Sequence, residues 1–294
     1  MTVVAAPDQA AKNLKATGFL LLGSLTFTFE VVLLRYLGDH VPFAQIVLFR
    51  ALAQILFAGV WMSTTVGWVA LKTSRPGMHI VRGLFSLACW WLYYASFASL
   101  GIAMATVLAF TTSLFTVLLA GPVMGEKVGP LRWAATLIGF SGVVIAAGLD
   151  HLKFDPAVIM ALFSAAAGAG IVMSNRRLST TESTQTIMVY IGLVTIVGVL
   201  PVAIWQGGFP SGWDIPLLAL SSLTGCCGMW CNIEAYRIGE VSAIAPVPYI
   251  RLLFAALAGF VFFAEVPDPR FWFGAVLIVG GALLISVRRK ARKE

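Results

Sequence analysis

Charge is scarce in this sequence: Asp, Glu, Lys and Arg make up 11% of its 294 residues, where a water-soluble domain carries ~25%. So little polar surface cannot cover a globule facing water, and it equally excludes a disordered chain, which needs high charge and low hydropathy. Histidine stops at three residues and cysteine at four. Cys89, Cys226, Cys227 and Cys231 all lie in apolar stretches, so a disulfide framework is not expected. Cys227 and Cys231 share a helical face, but no histidine joins them, and no metal site is expected. His40, His79 and His151 are scattered at loops and span edges, which leaves a membrane-embedded enzyme without a clustered acid–base set; no catalytic residue is assigned. A phosphate-binding glycine loop is also missing, which disfavours ATP-driven transport. No cofactor follows from the residues present.

What is abundant is apolar. Hydrophobic residues reach 59% and the mean hydropathy is +0.91, the balance of an integral membrane protein. A spanning helix takes ~20 apolar residues, and the chain accommodates ten: 16–36, 42–62, 77–100, 103–122, 130–148, 155–174, 186–206, 214–236, 240–263 and 270–287. Loop signals punctuate them at Gly38-Asp39-His40, Arg75-Pro76-Gly77, Gly207-Gly208-Phe209-Pro210 and Pro267-Asp268-Pro269. Stretches such as Ala134 to Gly148 do not alternate, which excludes a transmembrane barrel. Residues 1–15 read as a polar tail rather than a signal peptide, because the apolar run behind them exceeds a cleavable core and holds Glu30.

Basic residues are sorted by side. Fourteen Lys and Arg fall on the side of both termini, among them Lys12, Lys15, Lys72, Arg75, Lys127, Arg132, Arg176, Arg177, Arg237 and the cluster after residue 287; Arg35, Lys153 and Arg270 fall on the other. The positive-inside rule then predicts cytoplasmic termini and an even number of spans. The chain also repeats itself. A shift of 139 residues lays Trp91 on Trp230, Leu114-Phe115 on Leu253-Phe254, Glu126 on Glu265, Pro130 on Pro269, Trp133 on Trp272 and Gly142 on Gly281. Five spans per copy is an odd number, so the second copy must be inserted upside down. The expectation is an all-α membrane protein of ten transmembrane helices, built as two inverted five-helix repeats, 16–148 and 155–287, with a basic tail at 288–294. Inverted repeats are a plan of secondary transporters that open one midplane site alternately to each side.

Leu48-Phe49-Arg50, the stretch Phe110-Thr111-Thr112-Ser113-Leu114-Phe115 followed by Gly125-Glu126, and Ala245-Pro246-Val247-Pro248-Tyr249-Ile250-Arg251 followed by Phe263-Ala264-Glu265-Val266-Pro267-Asp268 carry a resemblance. Together they resemble the drug/metabolite transporter superfamily, in its ten-helix EamA-type branch, although Ser113 stands where that family often has proline. The resemblance covers nearly the whole chain. It implies a carrier similar to bacterial uptake or efflux proteins for amino acids, S-adenosylmethionine, riboflavin and opine-like metallophores, in a bacterial-type inner membrane.

Intramembrane charges are costly, ~2.5–3.5 kcal/mol each when central, so they mark candidate sites. Glu30 and Arg50 lie at similar depth and suit a gate or a zwitterion site; a fixed structural pair is the alternative. Arg251, near the midplane behind Pro246 and Pro248, offers a planar fork for a carboxylate or phosphate, with pairing to Glu234 or Glu30 as its alternative. Arg82 sits near a span end and is expected to snorkel outward. Trp91, Trp230, Phe110 and Tyr249 fall mid-span at repeat-related positions and suit an aromatic cavity wall; lipid-facing packing is the alternative. Glu126 and Glu265 are expected to accept hydrogen bonds from the free N–H groups of the next helix. Small residues at Gly139, Gly142, Ala165 to Gly170, Gly274, Gly280 and Gly281 allow close helix contact, in a monomer or a homodimer. The expected partners are a small-molecule substrate and the lipid bilayer, with no nucleic acid. A secondary carrier for an amino-acid-like, zwitterionic or carboxylate-bearing metabolite is the leading expectation; a carrier for a larger aromatic or nucleoside-type metabolite is second, and a non-transporting scaffold or an enzyme trails both.

Overall fold

The computed structural model describes residues 7–37, 41–146, 156–208, 210–264 and 269–287. The loop at 38–40, residues 147–155, Glu265 to Asp268 and the basic tail lie outside them. The described residues are α-helical throughout their long elements: α1 Pro7–Leu37, α2 Phe43–Thr64, α3 Pro76–Ala109, α4 Thr112–Met124, α5 Pro130–Ala146, α6 Pro156–Leu178, α7 Thr184–Gln206, α8 Asp214–Ile238, α9 Val241–Ile244, α10 Ile250–Phe263 and α11 Pro269–Val287. Among the described residues six apolar stretches are long enough to cross a membrane, including the interrupted span Val241–Phe263 formed by α9 and α10. Proline opens α3, α5, α6 and α11, where its missing N–H costs nothing and its fixed φ favours the helix.

Two details depart from the sequence reading. A turn was expected between 100 and 103, but helical bonding runs through it and α3 ends at Ala109. That stretch holds no proline, and its single Gly101 does not stop a helix by itself. The interruption comes at Phe110-Thr111, before α4. In the second repeat Pro246 and Pro248 break the equivalent span, and a 3-10 turn at Val247–Tyr249 leads into α10. Under the 139-residue shift, the two breaks coincide.

The packing is two-fold. The contact of α1 with α8 has its counterpart in that of α6 with α3; α2 with α8 matches α7 with α3, and α1 with α10 matches α6 with α4, while α2 meets its own equivalent α7. The α5–α11 contact is reciprocal at residue level. A Cβ at Gly142 would lie 2.6 Å from the Gly274 carbonyl oxygen and 2.9 Å from Ile278; one at Gly281 would lie 2.8 Å from the Ala135 carbonyl oxygen and 3.0 Å from the Gly139 nitrogen. Positions 135 and 139 become 274 and 278 under the same shift. Glycine there lets the backbones close without side chains between them. The helix ends repeat as well: Gly125 closes α4 at φ 68° and Ala264 closes α10 at φ 53°, both left-handed caps one repeat apart.

The outside of the bundle is apolar. Trp205 and Trp213 are 85% and 84% exposed at the end of α7 and the start of α8, which suits rings lodged at a membrane–water boundary. Phe273, Val276 and Val197 are exposed on helix flanks, where lipid is the solvent. The chain is a multi-pass membrane protein.

Candidate functional site

Charged groups of the interior gather around Phe27 on α1. Gly225 and Gly228 on α8 make room for this helix face: a Cβ on Gly225 would strike the Glu30 carboxylate at 2.5 Å, and one on Gly228 the Phe27 ring at 2.9 Å. Glu30 is 5% exposed and pairs with Arg50 of α2 at 3.2 Å. The Arg50 guanidinium also lies 5.7 Å from the Phe27 centroid and 5.4 Å from that of Trp90 on α3. Arg251, at the start of α10, approaches the same Phe27 ring at 5.5 Å, close enough for its charge to act on Glu30. Among the described residues it makes no hydrogen bond or ion pair. Two guanidiniums therefore share one ring, and among the described residues only Arg50 is paired with a carboxylate, which leaves positive charge in excess at a site drawn from both repeats. Burying cations against aromatic faces offsets part of their desolvation.

The structure separates the four aromatics expected to form one wall. Trp91 is 36% exposed and meets Phe43 edge-on at 6.4 Å, whereas its neighbour Trp90 covers Arg50. Trp230 packs against Phe19 at 5.8 Å and Trp61 at 6.0 Å, away from Trp91. Phe110 and Tyr249 do meet, with centroids 5.8 Å apart, at the paired helix breaks. Tyr249 is fully buried and seated on Gly139; its hydroxyl has no hydrogen-bond partner among the described residues, with Ser113 close by. Glu234 does not partner Arg251. It accepts from the Thr184 hydroxyl and lies 3.5 Å from Arg237 Nε. Phe27 and Trp90 were missed in the sequence. Trp90 was legible as the third step of a helical stripe Arg82, Ser86, Trp90, which the repeat match at Trp91 obscured.

Arg82 does not snorkel. It is 1% exposed, donating from Nε to Asn175 Oδ1 at 2.7 Å and from a terminal nitrogen to Ser86, with the other 3.9 Å from Met229 Sδ. Its own helix points the side chain into the contact with α6 and α8, where Asn175 offers an acceptor.

A polar clasp closes the end of the bundle that carries most of the basic residues, hereafter the basic face. Glu126, just after α4, accepts from the backbone N–H groups of Val241 and Ser242 at 2.8 and 2.9 Å and from the Ser242 hydroxyl at 2.6 Å. The first repeat thus caps α9 of the second and not the next helix in the chain, α5, as the sequence suggested, because the loop turns the Glu126 carboxylate toward Val241 and Ser242. Arg132 of α5 donates to Ser242 and pairs with Glu240, and the Glu240 N–H donates to Asn13 Oδ1 at 2.8 Å. Nearby, buried His79 stacks on Tyr190 at 4.4 Å and lies 4.0 Å from Glu182, which accepts from the Thr73 hydroxyl at 2.8 Å. Glu265 lies outside the described residues. All four cysteines are free, and no group of metal-ligating residues forms among the described residues.

Comparison with known proteins follows the same outline. A crystal structure of another protein matches with a TM-score of 0.77 at 21% identity, over 95% of this chain and 98% of that one, which establishes the shared fold. The S-adenosylmethionine uptake transporter of Rickettsia felis is 30% identical over 289 residues, covering 96% of both chains. The riboflavin transporter of Vibrio cholerae is 30% identical over 76% of this chain and 77% of its own. The pseudopaline exporter of Pseudomonas aeruginosa is 26% identical over 95% and 99%. These relatives are named as transporters of small metabolites, not as enzymes, and this chain is likewise a small-metabolite transporter. The model of the EamA-like transporter family matches twice, over residues 14–148 and 155–287, the two halves that the reciprocal packing relates, and the chain therefore belongs to the EamA-like transporter family.

Proposed function

We propose that this transporter is a secondary carrier for a metabolite bearing a carboxylate, alone or within a zwitterion, and that it works by alternating access with both termini in the cytoplasm. The observation that carries this reading is the pair Arg50 and Arg251 at 5.7 and 5.5 Å from one ring, Phe27, with Glu30 paired to Arg50 alone. Arg251 has no hydrogen-bonded partner among the described residues, so its planar fork is free to take a substrate carboxylate in two parallel bonds. A substrate ammonium would compete with Arg50 for Glu30. Breaking the Glu30–Arg50 pair then becomes part of binding, and the pair acts as a gate as well as a contact. Glu30 is also the group through which a proton gradient would drive the cycle.

A larger ligand that adds a ring is the second reading. It is favoured by Trp90 and Phe27, whose faces already hold cations, and by relatives named for S-adenosylmethionine and riboflavin. S-adenosylmethionine would satisfy both, since it combines an amino-acid head with an aromatic base.

The test is thermal shift on purified protein with methionine, S-adenosylmethionine, its decarboxylated analogue and riboflavin. Stabilisation by the carboxylate-bearing compounds, lost on decarboxylation, is the expected result. Stabilisation by riboflavin and the decarboxylated analogue alone would sink the carboxylate reading.

A further inference from the structure

Arg82 is a fully buried cation without a counter-ion among the described residues. No carboxylate pairs with it among the described residues; its contacts are Asn175, Ser86 and Met229. Two carboxylates at the same end of the bundle are engaged elsewhere, Glu182 with Thr73 and His79, and Glu234 with Thr184 and Arg237. A structural arginine in lipid normally pairs or reaches the interface, and Arg82 does neither. Neutral acceptors satisfy its hydrogen bonds but leave its charge.

Its position gives that charge a use. Ser86 stands one helical turn from Arg82, and Trp90 one further turn on, so all three share a face of α3. Eight residues at ~1.5 Å each place Arg82 about 12 Å from Trp90, toward the basic face. Trp90 covers Arg50, so the stripe runs from the central site to Arg82. The wall opposite Arg82 comes from the second repeat, through Asn175 on α6 and Met229 on α8. An inverted-repeat carrier separates its repeats along such a seam when it opens.

We propose that Arg82, with Ser86, is a second anion-binding station on the translocation path, which takes the substrate carboxylate as it passes between the Arg50–Arg251 site and the cytoplasm. This rests on the carrier reading above. In the arrangement described here Asn175 and Ser86 occupy the donors; when the repeats part, the substrate carboxylate replaces Asn175 and supplies the buried charge with a counter-ion.

The experiment needs no knowledge of the substrate. In a full-length variant whose native cysteines are serine, Ser86→Cys is treated in inside-out membrane vesicles with two impermeant thiosulfonates, one carrying a sulfonate and one a quaternary ammonium. Rates are normalised to a free thiol. Modification from the cytoplasmic face is expected, about tenfold faster with the anionic reagent, because a buried cation concentrates anions near it. Arg82→Gln in the same background should reduce that preference to about one. An unreactive Ser86→Cys, equal rates, or a preference that survives Arg82→Gln overturns the proposal. Should Arg82→Gln fail to accumulate, the preference measured with Arg82 in place decides. A parallel variant retaining only Cys226, which lies within reach of the Arg50 charge, separates the two readings: reactive Cys226 with inert Ser86→Cys sinks the second station and leaves the central site, while two inert positions sink both.

Discussion

Arg50 and Arg251 hold their guanidiniums 5.7 and 5.5 Å from the same ring, Phe27, although one comes from the second helix and the other from the tenth. Like charges brought together at one ring repel, and among the described residues Glu30 pairs with Arg50 while no carboxylate pairs with Arg251. The surplus is where an anionic substrate gains most.

Arg251→Lys keeps the charge and removes the bidentate fork. Hydrogen bonds to charged groups contribute ~1.5–3 kcal/mol, so affinity for a carboxylate-bearing ligand should fall roughly ten- to a hundredfold while the melting temperature holds. Isothermal titration and thermal unfolding on the same preparation check this; unchanged affinity would remove Arg251 from the site.

Adjacent tryptophans should separate cleanly. Trp90→Ala uncovers Arg50 and should weaken binding of ring-bearing ligands by about 0.5–2 kcal/mol, the range of a cation–π contact. Trp91→Ala removes a half-exposed ring that meets Phe43 and should leave affinity within experimental error. The reverse ranking would restore the wall first read from the repeat.

Orientation is testable without substrate. With native cysteines replaced, Ser211→Cys should react with an impermeant maleimide added to intact cells, and Thr180→Cys only after permeabilisation. Both positions are exposed, at opposite ends of α7. Labelling of both from outside would overturn the assignment of sides.

The two left-handed helix caps should respond with opposite signs. Ala264 sits at φ 53°, where an L side chain costs roughly 1–2 kcal/mol, so Ala264→Gly should stabilise. Gly125→Ala, at φ 68°, should destabilise by a similar amount. Melting curves in detergent decide, and a shift of the same sign in both variants would contradict the shared cap geometry.

Gly142→Ala and Gly281→Ala should each force α5 from α11, since the added methyl meets backbone at 2.6 and 2.8 Å. Overpacking of this kind costs ~1–3 kcal/mol. Because both variants strain one interface, the double variant should cost less than the two losses added together. Full additivity would argue against a single reciprocal contact.

Much of the fold was legible because lipid imposes long apolar runs and sorted charges, and because a constant 139-residue offset survives in Glu126/Glu265 and Gly142/Gly281. The site was less so. Depth along each span placed Glu30 level with Arg50 and set Arg251 near the midplane, but depth says nothing about the direction of a side chain. That direction depends on which neighbour leaves room, and only packing shows that Gly225 and Gly228 open space for Glu30 and Phe27, or that Trp90 rather than Trp91 turns inward. Arg82 was misjudged for the same reason: counting residues from the span end allowed an escape to water that its buried partner Asn175 does not require.

The clasp at the basic face has no twin. Shifted by 139, Glu126 recurs as Glu265, but Glu240, Ser242 and Arg132 correspond to Gly101, Ala103 and Phe271, which offer neither the hydroxyl nor the charges. A machine assembled from two copies of one unit, head to tail, would tilt either way with little preference, like a level seesaw. Here one tilt is weighted by contacts the other cannot reproduce, and every ~1.4 kcal/mol of that difference shifts the populations tenfold. In the alternating-access reading proposed above, the unloaded molecule should therefore favour the form with its basic face shut. That preference thus rests on a handful of side chains at one end, laid over a scaffold whose helix packing repeats between its two halves.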